Sequence, residues 1–382
     1  MIDYIVITPF FPSKGSFRGS YLLDQAKAIQ SNSNHKLTVI ILSSFFKKSD
    51  ENYTIEGVNC ITFKLLDLPS FIFPGIFHSI NLSRFNVFLK KNGLTPNDKS
   101  IIHGHINYPS LNFLEFFSKK YKCKTILQHH GLDILQTQTG LRLPFLKNIQ
   151  NKIILKRFKS FSTYISTHIA VSSVVKSELI KIVPKLKNRL YVCANGVDTS
   201  KFYVDSLKKT KNSKFIIGCV ANFWELKDHI TLLKAVKILN DEGVKNIHLK
   251  LVGNGETFKQ CFEYAKNNNI DCEFVDEIKH SELRTYYNQL DLFVLPSKYE
   301  AFGCVYLEAL ACGVPFIGVK NQGIEDVVPD GLKDFQLVEK NSPSDLSKLI
   351  SYFYSNKLTI KFDEKYNIDN TIRQMLNHVN NQ

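Results

Sequence analysis

The second half of the chain alternates short apolar runs with longer segments of mixed character. Glycine or proline closes some of the apolar runs, as at Gly253 and Pro296. Unbroken apolar strands that alternate with helix-length segments are typical of a parallel sheet with helices on both faces. The predicted strands are Phe215–Val220, Ile247–Val252, Cys272–Val275, Leu292–Leu295 and Pro315–Val319. The predicted helices are Ile230–Leu239, Phe258–Asn267 and Ser281–Gln289.

The first half shows the same alternation less regularly. Its predicted strands are Tyr4–Ile7, Leu37–Leu42, Asn59–Phe63, Ile101–His103, Thr125–Gln128 and His168–Val171. Its predicted helices are Ser20–Gln30, Ser79–Lys91 and Ser110–Lys120. Each crossover helix allows the next strand to run parallel to the previous one. The whole pattern therefore predicts an α/β protein with two Rossmann-like, doubly wound parallel sheets.

Asp, Ser, Thr and Lys cluster in residues 197–213, which is the composition of a linker. We expect a first domain over residues 1–196, this linker, and a second domain over residues 214–365. A last helix pattern in residues 366–382 has no strand after it, and we expect it to cross back to the first domain. Two such domains define a cleft, and ligands of these sheets bind outside the carboxyl ends of the strands.

The excess positive charge lies in the first half. Residues 1–200 carry 26 lysines and arginines against 11 acidic residues, and the whole chain has a net charge of +14. From Lys147 to Arg189 there are ten basic residues and one acid, Glu178. Such a surface attracts nucleic acid, an anionic membrane or a phosphorylated acceptor. No nucleic-acid-binding module accompanies the charge, so we expect no nucleic acid partner. A solvated face is the alternative to a membrane surface.

Targeting signals and metal motifs are not evident in the sequence. The first apolar run is short and begins with an acid, unlike a signal peptide, and no stretch reaches roughly 18 apolar residues. We therefore expect a cytoplasmic protein that can dock on the inner face of the plasma membrane. The eight cysteines form no C-x-x-C pair, and there is no Asp-x-Asp triplet, so we expect no metal and no cofactor.

The most informative stretch begins at Leu292 and reads LFVLPSKYEAFGCVYLEALACGVP. A buried strand ends at Pro296, a polar loop follows to Gly303, and a helix continues to about Ala311. Backbone N–H groups at a helix start have no partner within the helix, so this loop can receive an anion or a sugar hydroxyl.

Two carboxylates belong to this stretch. Glu300 lies in the loop, and Glu308 lies eight residues later, beside the apolar face of the helix. A carboxylate there needs hydrogen-bond donors, because burying it unpaired is costly. The two vicinal hydroxyls of a ribose would serve. The alternative is an exposed helix residue at position 308 and an ordinary loop charge at position 300.

This stretch resembles glycosyltransferase family 4, the group 1 retaining glycosyltransferases of the GT-B fold. The family's most specific pattern is E-x7-E, here Glu300 to Glu308 within Pro-Ser-x-x-Glu-x-Phe-Gly and Leu-Glu-Ala-x-Ala-x-Gly-x-Pro. Four further motifs match in family order: the loop from Pro9 to Gly19, His130–Asp133, Asn195–Asp198 with Phe202, and Leu251–Gly255. The resemblance covers almost the whole chain and implies two Rossmann-like domains that face each other across a cleft.

The resemblance also implies which residues bind a nucleoside diphosphate sugar. Lys227 matches the family's lysine before a helix, where it would hold the diphosphate and stabilise its charge on departure. Glu300 would face the sugar and Glu308 the ribose. The other implied donor-binding residues are Gly15, Gly19, Asn222, Asn254, Ala301, Phe302 and Gly303. A capping or solvated lysine is the alternative for Lys227.

The sequence departs from the family pattern at three places. Asn222 stands where the family often has an arginine, so one fixed positive charge on the diphosphate is lost. Ala301 replaces the usual glycine after the first glutamate, and Gly331–Asp334 is a poor match to a later glycine turn. The change at position 222 bears most on activity.

His130 follows a predicted strand, and the resemblance places it near the transferring sugar or the acceptor. Together with Lys227 and Glu300 it makes up the expected catalytic set. An ordinary hydrogen-bonded core histidine is the alternative, and we expect His103 and His105, which end the preceding strand, to be structural.

The function implied is a metal-independent, retaining hexosyltransferase. It would move a hexose or N-acetylhexosamine from a UDP- or GDP-sugar to a hydroxyl of a glycan or lipid-linked acceptor, in bacterial surface polysaccharide or glycoconjugate synthesis. A catalytically impaired nucleotide-sugar-binding subunit on the same fold is the alternative, with Asn222 as the lesion.

Overall fold

The alternating pattern folds into two parallel-sheet units. The structure, a computed structural model, describes residues 2–13, 16, 18–47, 52–68, 73–131, 144–205, 214–356 and 358–381. The first unit comprises Met1–Asn195 and Ile368–Gln382, and the second comprises Gly196–Asn367.

Eight strands form the sheet of the first unit. They are β1 (Ile2–Thr8), β2 (His35–Ser44), β3 (Asn52–Ile55), β4 (Val58–Leu65), β5 (Ile101–His105), β6 (Lys124–His129), β7 (Thr167–Ala170) and β8 (Leu190–Val192). Their order is β3-β4-β2-β1-β5-β6-β7-β8, and all neighbours are parallel except β3 against β4. The strand order reverses between β1 and β5, which is where such a sheet binds ligands.

Five helices cross between these strands. They are α1 (Ser20–Ser31), α2 (His78–Lys91), α3 (Ser110–Tyr121), α4 (Pro144–Phe161) and α5 (Ser173–Ile182). The strand β1 is buried from Tyr4 to Thr8 because helices cover both faces of the sheet, as the unbroken apolar pattern predicts.

The second unit has a smaller sheet. Its strands are β9 (Phe215–Val220), β10 (Ile247–Val252), β11 (Cys272–Val275), β12 (Leu292–Val294), β13 (Phe316–Val319) and β14 (Leu337–Val338). All neighbours are parallel, in the order β11-β10-β9-β12-β13-β14, so the reversal lies between β9 and β12. The helices are α6 (His229–Asp241), α7 (Phe258–Asn267), α8 (Leu283–Tyr287), α9 (Cys304–Ala311), α10 (Lys333–Gln336) and α11 (Pro343–Asn356).

The last helix, α12 (Ile368–Asn380), packs against α1 in the first unit. Ile372, Met375, Leu376 and Val379 on its inner face belong to the same apolar core as the strand residues Tyr4 and Val39. The first unit is therefore built from both ends of the chain. No helix among the described residues is long and apolar enough to cross a membrane.

The predicted α/β class with two doubly wound parallel sheets is confirmed. The pattern did not reveal β3, β8 and β14, which are edge strands: β3 and β8 are only partly buried and lack a long unbroken apolar run, and β14 has only two residues. It also left α4, α5 and α11 unassigned.

The described part of the predicted linker is packed on the second unit. The N–H of Val197 donates to the carbonyl of Tyr366 at 2.9 Å, and Phe202 is buried. The side chain of Asn288 bonds to the backbone of both Tyr203 and Asp205. Residues 206–213 lie outside the described residues.

Candidate active site

The loops that follow β9 and β12 lie on the two sides of the strand-order reversal in the second unit. Residues 221–228 follow β9, and residues 295–303 follow β12. The N–H of Lys298 donates to the carbonyl of Leu226 at 2.8 Å, which ties the two loops together. In a doubly wound sheet this is the position at which ligands bind.

Lys227 and Glu300 meet at this position. The ammonium of Lys227 donates to Glu300 Oε2 at 2.6 Å, and their side chains are 23% and 13% exposed. Lys227 ends a short 3₁₀ turn, and Asp228 behind it adopts a left-handed conformation with φ of 50° before α6 begins. The pair is therefore partly shielded from solvent but still reachable from it. This arrangement rules out two freely solvated charges.

The loop after Glu300 turns sharply into α9. Gly303 has φ of 79°, a left-handed conformation that favours glycine, and a Cβ there would lie 2.6 Å from the Tyr306 ring. Ala301 and Phe302 are 8% and 2% exposed. Both residues are therefore buried and present no exposed side chain to solvent.

Glu308 is buried on α9, which excludes the exposed position considered from the sequence. The hydroxyl of Tyr287 donates to Glu308 Oε2 at 2.8 Å, and His280 Nε2 lies 3.7 Å from Oε1. Burial and then the Glu308 carboxylate raise the pKa of Tyr287 well above its ordinary value, so this phenol stays protonated and donates. The protein itself supplies a donor that the sequence reasoning assigned to a ribose.

Neither Tyr287 nor His280 was found by sequence reasoning. Tyr287 lies within a predicted helix, where an aromatic residue indicates only core packing. Its role depends on the approach of α8 to α9, which no spacing along the chain reveals.

Asn254 and Asn222 occupy the neighbouring loops. Asn254 Nδ2 donates to Asp276 Oδ1 at 3.2 Å, and its carbonyl accepts from the N–H of Phe223 at 2.8 Å. The side chain of Asn222 is exposed, and its carbonyl accepts from Trp224 N–H at 2.7 Å. The loops after β9, β10 and β11 therefore adjoin one another at the same edge of the sheet.

His130 lies at the carboxyl edge of the first unit. His105 Nδ1 is 3.0 Å from His130 Nε2, and the Tyr21 ring lies 5.2 Å from the His130 ring. His103 stacks on His105 with ring centroids 4.3 Å apart, and Tyr4 bonds to His103 at 2.8 Å. Burial holds the pKa of His105 well below its ordinary value. His130 is half-buried at the end of this row.

Gly19 precedes α1 on the same unit, with φ of 88°, and its carbonyl accepts from Leu22 N–H at 2.8 Å. Gly15, the other glycine expected near the phosphates, lies outside the described residues, as do Leu132 and Asp133.

Two family models match adjacent parts of the chain. The model described as Glycosyltransferase Family 4 matches residues 19–201, and the model described as Glycosyl transferases group 1 matches residues 204–373. A glycosyltransferase of Methanocaldococcus jannaschii, itself uncharacterized, is 27% identical over 286 residues, or 75% of this chain and 73% of that protein. The capsular polysaccharide biosynthesis glycosyltransferase CapM of Staphylococcus aureus is 30% identical over 223 residues, or 54% of this chain and 57% of that protein.

The fold is also that of solved glycosyltransferases. Anabaena HepE in complex with UDP and glucose matches with a TM-score of 0.72 at 14% identity, covering 100% of both chains. The predicted family and architecture are thereby confirmed. The chain belongs to the group 1 glycosyltransferases of family 4 and has the GT-B fold.

Proposed function

We propose that this glycosyltransferase moves a hexose or N-acetylhexosamine from a UDP- or GDP-sugar to a hydroxyl of a glycan or lipid-linked acceptor, with retention of anomeric configuration. The observation that carries the proposal is the Lys227–Glu300 pair at the strand-order reversal. The name of the relative CapM supports a role in surface polysaccharide or glycoconjugate synthesis. The complex of HepE with UDP and glucose supports a nucleotide sugar donor.

Lys227 would gain phosphate partners when the donor binds. An ammonium has three N–H donors, of which Glu300 occupies one, so phosphate oxygens can take the others. These bonds are charge-assisted, and they strengthen as negative charge accumulates on the departing diphosphate. Glu300 would then accept hydrogen bonds from hydroxyls of the sugar.

Glu308 would hold the ribose while keeping Tyr287 as its partner. A carboxylate has about four acceptor positions, and the Tyr287 hydroxyl fills one of them. The remaining positions suit the vicinal 2′ and 3′ hydroxyls. Asn254 and the backbone of 301–303 would complete the donor site, with Asn254 near the base.

We propose that His130, in the first unit, acts on the transferring sugar or the acceptor, as the family resemblance implies. The short N···N contact requires one ring to donate and the other to accept, so His105 orients His130. Gly15 and Gly19 stay in the proposed donor-binding set on the family resemblance.

We propose that the reaction needs no divalent cation, because Lys227 and the backbone amides before α9 supply the positive potential. Donor turnover should therefore be unchanged in EDTA. A loss of turnover in EDTA that Mg²⁺ or Mn²⁺ restores would contradict this scheme.

A nucleotide-sugar-binding subunit without catalysis is the second candidate. The observation that favours it is the uncharged, exposed side chain of Asn222 where the family often has an arginine. Measuring donor binding and donor turnover on the same preparation separates the two functions. Saturable binding with no hydrolysis or transfer, across a panel of glycan and lipid-linked acceptors, would favour the binding subunit.

The donor can be identified by thermal stabilisation. Nucleoside diphosphates and their sugars are screened by the shift that each causes in the melting temperature. With the ligand that gives the largest shift, Glu308→Ala should lose about 1–3 kcal/mol of binding free energy, as expected for a charged hydrogen-bonding partner. An equal ligand-induced shift of the melting temperature in wild type and variant would show that Glu308 does not bind the donor.

The helix α4 would dock the protein on an anionic membrane surface. Lys152, Lys156 and Lys159 are exposed along one side of α4, and we call these three lysines the basic stripe. Ile154 and Phe158 on the other side are buried in the first unit. Exposed cations over a packed apolar side suit attraction to lipid headgroups. A lipid-linked acceptor would then be within reach at the same surface.

A further inference from the structure

The loop that carries Glu300 is held by two residues that follow β13. Gln322 Oε1 accepts a hydrogen bond from the backbone N–H of Glu300 at 2.7 Å. The N–H of Gly323 donates to the carbonyl of Glu300 at 2.9 Å. Both backbone polar groups of Glu300 are therefore bonded to one dipeptide, more than 20 positions away in the chain.

The two segments approach each other backbone to backbone. A Cβ at Gly323 would lie 1.8 Å from the carbonyl oxygen of Ala301 and 2.9 Å from Phe302 Cα, and neither backbone atom can move aside cheaply. Gln322 is 5% exposed, so its carboxamide bonds within the protein and is shielded from water. Its Nε2 lies 3.5 Å from the carbonyl of Lys298, which extends the same contact by two residues.

This contact determines where the Glu300 carboxylate can lie. The backbone N–H of Glu300 is a donor only, so its buried partner must be an acceptor, and the Gln322 oxygen is that acceptor. Without it the amide must turn toward water or remain unsatisfied. Either change rotates the peptide from which the side chain leaves.

We propose that Gln322 is a positioning residue that fixes the backbone of Glu300 and thereby holds its carboxylate beside Lys227. The inference rests on the proposed function in one respect: the group that Glu300 meets besides Lys227 is the sugar of a nucleotide sugar. Gln322 consequently affects recognition of the sugar, while the nucleotide is bound by other residues.

The test uses Gln322→Met, which keeps the length of the side chain and removes the carboxamide oxygen. Gln336→Met is the matched control, because Gln336 is also a buried glutamine of the second unit and donates to the carbonyl of Phe316 at 3.4 Å, away from this loop. Amide hydrogen exchange of residues 298–303 is measured in the ligand-free protein. Exchange at Glu300 should be about 5- to 10-fold faster in the Gln322 variant and unchanged in the control.

Binding of UDP and of UDP-glucose is then measured for wild type and both variants, or of GDP and GDP-mannose if the screen selects guanine. The Gln322 variant should lose about 5-fold or more in affinity for the nucleotide sugar and a clearly smaller factor for the nucleotide, because Lys227 can still reach the diphosphate when Glu300 is displaced. Equal losses for both ligands, or unchanged exchange in residues 298–303, would overturn the inference.

The results of these two measurements distinguish a failure of the inference about Gln322 from a failure of the proposed function. If wild type binds none of these ligands, the proposed function fails, and the exchange measurement still decides whether Gln322 holds the loop. If the methionine variant does not fold, Gln322→Asn is measured in the same way. This substitution shortens the side chain by one methylene and so moves its carboxamide oxygen away from the Glu300 N–H.

Discussion

At the scale of single residues, the pairing of Lys227 with Glu300 is the feature with the clearest chemical consequence. The two residues are 73 positions apart and belong to loops after different strands. A lone ammonium at this place would be solvated, whereas one that is paired and partly buried is held in a defined position. A defined charge stabilises a departing diphosphate better than a mobile one, because it needs no reorganisation during the reaction.

Replacing Lys227 tests this consequence. Lys227→Met should lower kcat/KM for donor turnover by about 100- to 1,000-fold, because it removes a fixed charge that acts on the leaving group. The measurement is release of the nucleoside diphosphate at saturating acceptor. Lys237→Met is the matched control, since Lys237 pairs with Asp241 on an exposed face of the same unit. If Lys227→Met turns over the donor as fast as Lys237→Met does, Lys227 does not act on the leaving group.

Glu308 shows how far a residue's role follows from its environment. Its position on α9 made it a candidate, and the Tyr287 hydroxyl then fills part of its acceptor capacity. Three residues that the sequence did not indicate contact the two glutamates. Tyr287 and His280 lie at the Glu308 carboxylate, and Gln322 bonds to the backbone of Glu300.

At the scale of elements, α4 combines a packed side with a charged side. The apolar residues Ile154 and Phe158 of this helix are buried. Arg157 is also turned inward, where its Nη2 donates to the carbonyl of Gly75 at 3.0 Å. On α4, the exposed basic residues are therefore Lys147 and the basic stripe.

Neutralising the basic stripe tests the membrane surface. Vesicles that contain anionic lipid should retain wild type at low salt, and Lys152→Ser/Lys156→Ser/Lys159→Ser should bind about 100-fold more weakly, since each lysine near the surface contributes about 1 kcal/mol. The control replaces Lys234, Lys259 and Lys266, three exposed lysines of the second unit, by serine. Equal weakening by both triple variants would assign retention to net charge alone.

At the scale of the whole molecule, the first unit depends on residues from the far end of the chain. Met375 on α12 is 1% exposed and lies in the same core as strands β1 and β2. The apolar side of α12 would be exposed without this core, and the core would lose part of its cover. Packing of the last helix therefore contributes to the folding free energy of the first unit.

A charge on the inner side of α12 should unfold the first unit selectively. Met375→Asp is expected to lower the free energy of unfolding by about 3 kcal/mol or more, because it buries a carboxylate without a partner. Limited proteolysis followed by mass spectrometry should show cleavage in residues 1–195 before cleavage in residues 196–367. Gln374→Asp, on the exposed side of the same helix, is the control and should behave like wild type.

Acid should weaken the protein through its buried histidines. Burial lowers the pKa of His103 and His168 to about 3 and that of His229 to about 4. The unfolded chain takes up these protons near pH 6.5, while the folded chain does not, so stability is full above pH 6.5 and falls as the pH drops toward these values. Each group can contribute up to about 1.4 kcal/mol per pH unit in this range.

Urea unfolding at pH 7, 6 and 5 measures this slope. His103→Gln removes one titrating group and should flatten the dependence even if it lowers stability at neutral pH. A free energy of unfolding that does not change between pH 7 and pH 5 would contradict the expectation.

Much of the fold could be predicted because its signals are local. The strands Phe215–Val220, Ile247–Val252 and Cys272–Val275 have the predicted bounds, since an unbroken apolar run between turns needs only its own residues to be recognised. The strand β3 was missed because its residues alternate between exposed and half-buried positions and form no unbroken apolar run, and β14 was missed because it has only two residues. The second sheet also has its reversal at the loops that carry Lys227 and Glu300, the place where the sequence directed the search for chemistry.

What the sequence by itself determined is the parallel-sheet class, the family motifs and the loops in which the reactive groups lie, because period, turn residues and motif spacing are properties of adjacent residues. Tertiary structure decided which groups meet: Lys227 with Glu300, Tyr287 with Glu308, and Gln322 with the backbone of Glu300. Each of these contacts joins segments that are distant along the chain. Their partners are selected by the shape and burial of the folded units, which no local pattern contains.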